Sequence, residues 1–368
     1  MNDIVYELLV ALRQHPRSAN ISDLKIVVGD VPWVNIDGAY HPVGEIAGLP
    51  HVTTMSVDDV IHFCDEHGLT EGLKRLNDEK SQMFDASIED DLVGSLRVHG
   101  GNQSGGKNLF IRLLHTRIPT IEELGLPPII KKLPTLRKGG LLMFTGATGD
   151  GKSTSLAALI DYCNAIFHWN IITLEDPIEY RFRNRKSTIS QMELGAHFPS
   201  FEAVLAGIVR ANPTVVLVGE MRNIETMRAV IQLANTGHLV LSTQHDRGAA
   251  HSVRRVMSLF SDKDSKMYAQ AFADSLIAIV SQRLIPAASG EGRIAACEIM
   301  IANNALSALM REEKFTQITN SIAGSRDDGM QTLEQHLSDL VDRGLITYEH
   351  AKLYANEPDS VKPRKAAA

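Results

Sequence analysis

The stretch Gly139-Gly140-Leu141-Leu142-Met143-Phe144-Thr145-Gly146-Ala147-Thr148-Gly149-Asp150-Gly151-Lys152-Ser153-Thr154 decides the fold. Its first third is apolar and β-prone, its middle is rich in glycine, and the STSLAALIDYCNAI that begins at Ser153 reads as a helix. Residues 146–153 form a complete GxxxxGKS between that strand and that helix. Glycines let the loop turn its N–H groups inward, and a helix N-terminus adds partial positive charge, so the arrangement suits phosphate. Lys152 is placed for the β- and γ-phosphates of ATP and Ser153 for Mg2+, while Gly146, Thr148, Gly149, Gly151 and Thr154 complete the cradle. Asp150 is the oddity, because a carboxylate near phosphates repels them unless it faces solvent or meets a partner.

Outward from this loop, the apolar runs GLLMFTG, NIITLED, TVVLVGE and HLVLSTQ alternate with helical stretches. Runs apolar on both faces suit a buried parallel sheet, so this part of the chain is α/β. Three of the runs end in chemistry. Thr173–Tyr180 reads TLEDPIEY, with Glu175, Asp176 and Glu179 at a strand end, where open α/β sheets bind ligands. ATP hydrolysis needs one carboxylate to activate water and others to hold Mg2+. VVLVGE ends in Glu220, a Walker B-type position for Mg2+ and water, although Gly219 stands where many ATPases carry an acid. In TGHLVLSTQH, His238 and His245 fall at opposite ends of one strand, and His245 shares the edge of Glu179 and Glu220, which suits sensing of a γ-phosphate. Arg210 and Arg222 are further candidate site residues.

Before residue 117 the pattern differs. Ile4, Val5, Leu8, Leu9 and Leu12 share a helical face, two short β-rich runs follow, 56–80 reads as helix, and Leu92–His99 and Asn108–Leu114 read as strands separated by GGNQSGGK. The expected domains are a small α+β domain at 1–116, a proline-rich linker at 117–138, the ATPase core at 139–285, a helical part at 286–356 and a disordered tail at 357–368.

The 368 residues carry a net charge of −7, which disfavours nucleic acid as a partner; the basic clusters Arg181-Arg183-Arg185-Lys186 and Lys362-Pro363-Arg364-Lys365 read as solvated surface. Cys64, Cys163 and Cys297 are isolated, which argues against a disulfide framework or a cysteine zinc site. MNDIVYELLVALRQH does not read as a signal peptide, and no apolar run approaches the roughly 18 residues that span a bilayer. A cytoplasmic protein that reaches membranes through partners is expected.

With these elements in this order, the chain resembles the PilT/PilU pilus-retraction family of secretion-superfamily ATPases almost end to end. SDLKIVVGDVPWVNIDG is similar to the family's opening stretch, GATGDGKSTSLAALIDYCN to its Walker A, TLEDPIEY to its Asp box, VLVGEMRNIETM to its Walker B and TGHLVLSTQH to its His box. GMQTLEQHLSDLVDRGLI matches closely and ALSALMRE loosely; PilT and PilU features are mixed, with Gln244, Asp246 and Cys297 among the departures. The resemblance implies a RecA-like P-loop ATPase core, a PAS-like amino-terminal domain and a helical carboxyl-terminal region. It implies Glu179 as general base, Glu220 as Walker B glutamate, His238 and His245 as the His-box pair, and Arg97 and Arg112 as arginines that reach nucleotide across a subunit boundary. It further implies a homohexamer recruited peripherally to an inner-membrane platform protein, with a paralogous retraction ATPase as a possible partner. The alternatives are an ATPase of a conjugative or Dot/Tra-like secretion system, a pilus-assembly or type II secretion ATPase, and a ring scaffold that has lost catalysis.

Overall fold

Period-two alternation builds the amino-terminal sheet, with Ile26, Val34, Leu96, Val98, Leu109 and Ile111 buried between more exposed neighbours. The computed structural model describes residues 3–52, 54–76, 78, 82–104, 106–114, 117–260 and 265–363. It divides into two compact units, Met1–Arg117 and Ile118–Ala368.

The first unit contains α1 (Ile4–Gln14), β1 (Ile21–Val27), β2 (Trp33–Ile36), β3 (Ala39–Pro42), α2 (Val57–Glu66), α3 (Thr70–Leu76), β4 (Met83–Asp90), β5 (Gly94–Gln103) and β6 (Gly106–Leu113). Its antiparallel sheet has the order β3-β2-β1-β6-β5-β4. Val5, Leu8, Leu9 and Leu12 of α1, with Val60, Phe63 and Cys64 of α2, share one core with its inner face. The expected glycine-rich break at GGNQSGGK is mostly strand, and β4 is an additional strand. The Phe84 ring of β4 fills the space over Gly100 and Gly72; a Cβ on Gly100 would lie 2.1 Å from it.

The second unit contains β7 (Gly140–Thr145), α4 (Lys152–Ile166), β8 (Asn170–Glu175), β9 (Thr188–Glu193), α5 (Phe201–Ile208), β10 (Val215–Val218), α6 (Ile224–Asn235), β11 (Leu239–Gln244), α7 (Ala249–Ser258), α8 (Ser265–Ser275), β12 (Leu276–Pro286), β13 (Arg293–Ile301), α9 (Asn304–Arg311), α10 (Ile318–Gly324), α11 (Leu333–Asp342) and α12 (Tyr348–Tyr354). Its sheet has the order β13-β12-β7-β11-β10-β8-β9, parallel throughout except for the β12–β13 hairpin. One core lies on each face. No helix among the described residues is long and apolar enough to cross a membrane.

Three expectations are corrected here. The expected linker at 117–138 is not a free one: its Ile121, Leu126, Ile130 and Leu133 are buried with Leu142, Phe144 and Leu159 of the second unit. The chain after 285 is not wholly helical, because the apolar RIAACEIMI pairs along β12 as β13. The tail is ordered through Pro363: Val361 is buried, the N–H groups of Asn356 and Glu357 donate to Glu334 Oε1 at 3.0 and 3.3 Å, and Lys362 N–H donates to Ser338 Oγ at 2.9 Å. Residues 364–368, including Arg364 and Lys365 of the basic cluster, lie outside the described residues.

His336 joins α11 to this sheet, its Nδ1 accepting from Cys297 N–H at 2.8 Å. Burial lowers its pKa to about 4, which keeps that nitrogen unprotonated and able to accept. The folded value lies below the unfolded value of about 6.5, so the unfolded chain binds the extra proton as pH falls from 6.5 towards 4 and stability is lost across that window, by about 3 kcal/mol. Urea unfolding at pH 7.5 and pH 5 should therefore show a smaller loss for His336→Gln than for the parent; the difference isolates His336 from other groups that titrate nearby.

Candidate functional site

Every strand of this sheet except β13 delivers its carboxyl end to one edge, and four of those ends are joined there by a continuous polar chain. At the end of β7 the backbone turns through Gly146, Gly149 and Gly151, with φ of 147°, 85° and 78°, values that side-chain-bearing residues rarely adopt. Gly151 caps α4, whose first residue is Lys152. The Lys152 ammonium reaches back over the loop and donates to the carbonyls of Gly146 (2.8 Å) and Ala147 (2.9 Å). Lys152 is only 7% exposed. Burial lowers its pKa, while the charges of Asp150, Glu220 and Glu179 oppose that shift. A buried ammonium in a glycine loop at the N-terminus of a helix fits an anion with several oxygens.

On β11's end, His245 Nε2 lies 2.9 Å from Glu220 Oε1. With Nε2 donating there, Nδ1 is left to accept from Thr148 Oγ1 at 3.4 Å and Lys152 Nζ at 3.5 Å. The other oxygen of Glu220, which follows β10, accepts from Arg222 Nε at 2.8 Å, and Arg222 Nη1 reaches Asp176 Oδ2 beyond β8 at 3.2 Å. Lys152, His245, Glu220, Arg222 and Asp176 thus span the ends of β7, β11, β10 and β8. Gly219 fits the same crowding: a Cβ there would lie 3.3 Å from the Leu174 carbonyl of β8, a tight contact that a side chain could make only if β8 gave by a few tenths of an ångström.

The remaining carboxylates differ in kind. Glu175 is buried and accepts from Thr173 Oγ1 (2.6 Å) and Gln191 Nε2 (3.2 Å). Burial raises its pKa against those hydrogen bonds, so it braces β8 to β9 rather than facing the edge. Glu179 is exposed, and its charge reaches Lys152. Ser153 is exposed in the first turn of α4, and Thr154 Oγ1 meets Tyr180 OH at 2.8 Å. An exposed hydroxyl and a carboxylate on this edge are the hard oxygen donors that suit Mg2+, which takes few protein ligands and completes its shell with phosphate and water.

Two candidates are not gathered here. His238 begins at the opposite end of β11, with Nδ1 3.0 Å from Thr236 Oγ1, and lines a cavity of about 510 Å³ with Arg137, Trp169 and Asn212. Arg210 belongs to the short turn Val209–Ala211 on that same amino edge, where Asn170 Nδ2 binds the Ala211 carbonyl. Arg97 and Arg112 lie in the first unit, directly opposite one another on β5 and β6. Arg112 Nε donates to buried Asp23 at 2.8 Å, and Arg97 lies 4.0 Å from Asp85. Gln282 was not singled out from the sequence. Its Nε2 donates to the Asp150 carbonyl at 2.6 Å and its Oε1 accepts from Ser155 Oγ at 2.7 Å. The available signal was a polar Ser281-Gln282 pair inside the apolar LIAIVSQRLIP.

The second unit's sheet, with its glycine loop at the carboxyl edge, is a RecA-like ATPase fold. A solved structure of the pilus retraction motor PilT with bound ADP superposes on 95% of this chain and 97% of its own, with a TM-score of 0.82 and 33% identity. The family described as Type II/IV secretion system protein matches residues 82–353. The twitching motility protein of Neisseria gonorrhoeae is 34% identical over 364 residues, 97% of this chain and 93% of that protein. The type IV pilus retraction ATPase PilT of Pseudomonas aeruginosa is 34% identical over 345 residues, 92% of this chain and 95% of that protein. The chain belongs to this family of secretion ATPases.

Arg222 separates a structural from a functional role for the polar chain. It is exposed, and surface ion pairs contribute about 0–1 kcal/mol. Arg222→Ala should leave the melting temperature within a few degrees of the parent yet lower steady-state phosphate release severalfold, because Glu220 loses one of its two anchors.

Proposed function

We propose that this chain is an ATP-hydrolysing motor subunit that retracts a type IV pilus, working with Mg2+ in a homohexameric ring. The observation that carries the reading is the buried Lys152 ammonium, held in a glycine loop beside the Glu220–His245 pair. Near-full-length likeness to retraction ATPases, through both units, supports the job as well as the chemistry.

In this reading Lys152, Thr148, Thr154 and the loop amides hold the phosphate tail. Ser153 and Glu220 would hold Mg2+, which when bound would supply neutralisation of charge on the phosphate oxygens. Glu179 is the general base for the attacking water, its exposed carboxylate standing on the loop after β8. His245 joins Lys152 to Glu220, so movement of the lysine on nucleotide binding or loss is passed to the acidic groups of β10 and, through Arg222, to β8. Arg97 and Arg112, supplied by a neighbouring subunit, stabilise charge on the transferring phosphoryl group; such arginines contribute about 10³–10⁵ in rate. Their present carboxylate partners, Asp23 and Asp85, would be exchanged for phosphate. The motor works in the cytoplasm, recruited peripherally to an inner-membrane platform protein, with a paralogous retraction ATPase as a further partner.

Glu179→Gln is expected to keep ATP binding and to slow hydrolysis by about 10²–10⁴-fold, the usual contribution of a positioned base. Parental activity in that variant would remove Glu179 from the mechanism. For the biological role, deletion of the gene in its host should leave cells piliated or hyperpiliated but unable to twitch. Loss of pili would instead assign the motor to assembly.

A further inference from the structure

The nucleotide reading leaves Asp150 without a role, although it places a carboxylate inside the phosphate loop. We propose that Asp150 is a positioning residue, a latch that holds the glycine loop in its nucleotide-receiving shape while its carboxylate sits on the opposite side of β7 from Glu220 and His245. The proposal rests on the reading of this loop as a nucleotide site.

Each polar group of Asp150 is engaged. Oδ2 accepts the Ala147 N–H at 2.7 Å, and Oδ1 lies 3.5 Å from the Leu284 N–H. Its own N–H donates to the Ala147 carbonyl at 3.2 Å, so the two residues close the loop reciprocally. Its carbonyl accepts from Gln282, which is buried and also holds Ser155 in the first turn of α4. Arg293 Nη1 reaches the Gly149 carbonyl at 3.5 Å, and a Cβ on Gly146 would meet the Gln282 carbonyl at 2.4 Å. The loop is therefore pinned along β12 and β13.

Physical need and placement agree. Three glycines give the loop its shape but lose more conformational freedom on ordering than other residues, and order imposed before binding strengthens binding. The latch supplies that order through one short charge-assisted hydrogen bond. Sheet order then settles where the charge goes. Oδ2 stays within the loop on Ala147, while Oδ1 and the Asp150 carbonyl face Leu284 and Gln282 of β12; His245 and Glu220 close β11 and β10 on the other side of β7. The carboxylate still acts on Lys152, favouring its charged form.

Two variants separate hydrogen bond from charge. Asp150→Ala loses both, and Asp150→Asn keeps a carbonyl oxygen that can accept the Ala147 N–H. With purified full-length chain, binding of a fluorescent ADP analogue with Mg2+ and steady-state ATP kinetics are measured for parent, both variants and Lys152→Ala. Asp150→Ala should weaken binding and raise KM by about tenfold with kcat little changed, the scale of one hydrogen bond to a charged group. Asp150→Asn should recover binding to within about threefold of the parent. Should Asp150→Ala fail to fold, Gln282→Ala, which removes the brace on the Asp150 carbonyl, is expected to raise KM in the same selective way. Binding by Asp150→Ala as tight as the parent's, or an Asn variant as weak as the Ala variant, overturns the latch while leaving the nucleotide site standing. Unchanged binding by Lys152→Ala overturns both.

Discussion

A single buried cation, the ammonium of Lys152, sets the terms for the rest of the second unit. Removing an ammonium from water costs several kcal/mol unless the surroundings compensate. Here two loop carbonyls accept hydrogen bonds from it, and the charges of Asp150, Glu220 and Glu179 lie within electrostatic reach. Such compensation needs groups from widely separated segments at one point, and the parallel sheet provides it. The ends of β7, β11, β10 and β8 are neighbours in the sheet although up to about a hundred residues apart in the chain. A polyanionic phosphate tail would add the partner that a buried ammonium at a helix N-terminus favours.

The polar chain from Lys152 to Asp176 also gives the edge a way to transmit change. His245 touches both the lysine and Glu220, and Arg222 ties Glu220 to Asp176. Displacing any one member alters the partners of the next. On the other side of β7, Gln282, Leu284 and Arg293 hold the outer rim of the loop. One flank of the loop is thus built from exchangeable ion pairs and the other from a buried, braced strand.

Much of this edge could be read from the chain because its determinants are local. Gly146–Ser153 needs only the strand before it and the helix after it, and the runs NIITLE, VVLV and LVLSTQ announce buried strands by being apolar on both faces. What escaped was non-local. β13 and the helical look of the region after 285 are distinguished by pairing with β12 along nine residues, which RIAACEIMI alone does not specify. Residues 117–138 look like a linker because of their prolines, but Ile121, Leu126, Ile130 and Leu133 find a core only once β7 and α4 exist. The order of residues 357–363 depends on Glu334 and Ser338, some twenty positions upstream. Within the site, the partner of Asp150 could be stated only as a condition, since Ala147 becomes its partner through the loop's glycine turns. The placing of His238 and His245 at opposite ends of β11 was, by contrast, legible, because the six apolar and β-prone residues between them read as one strand.

Equilibrium titration of the purified chain with a labelled, non-hydrolysable ATP analogue in the presence of magnesium tests the central claim most directly. The account predicts saturable binding at one site per chain that is lost in Lys152→Ala while the fold is retained. Absence of saturable binding by the folded parent protein would contradict it.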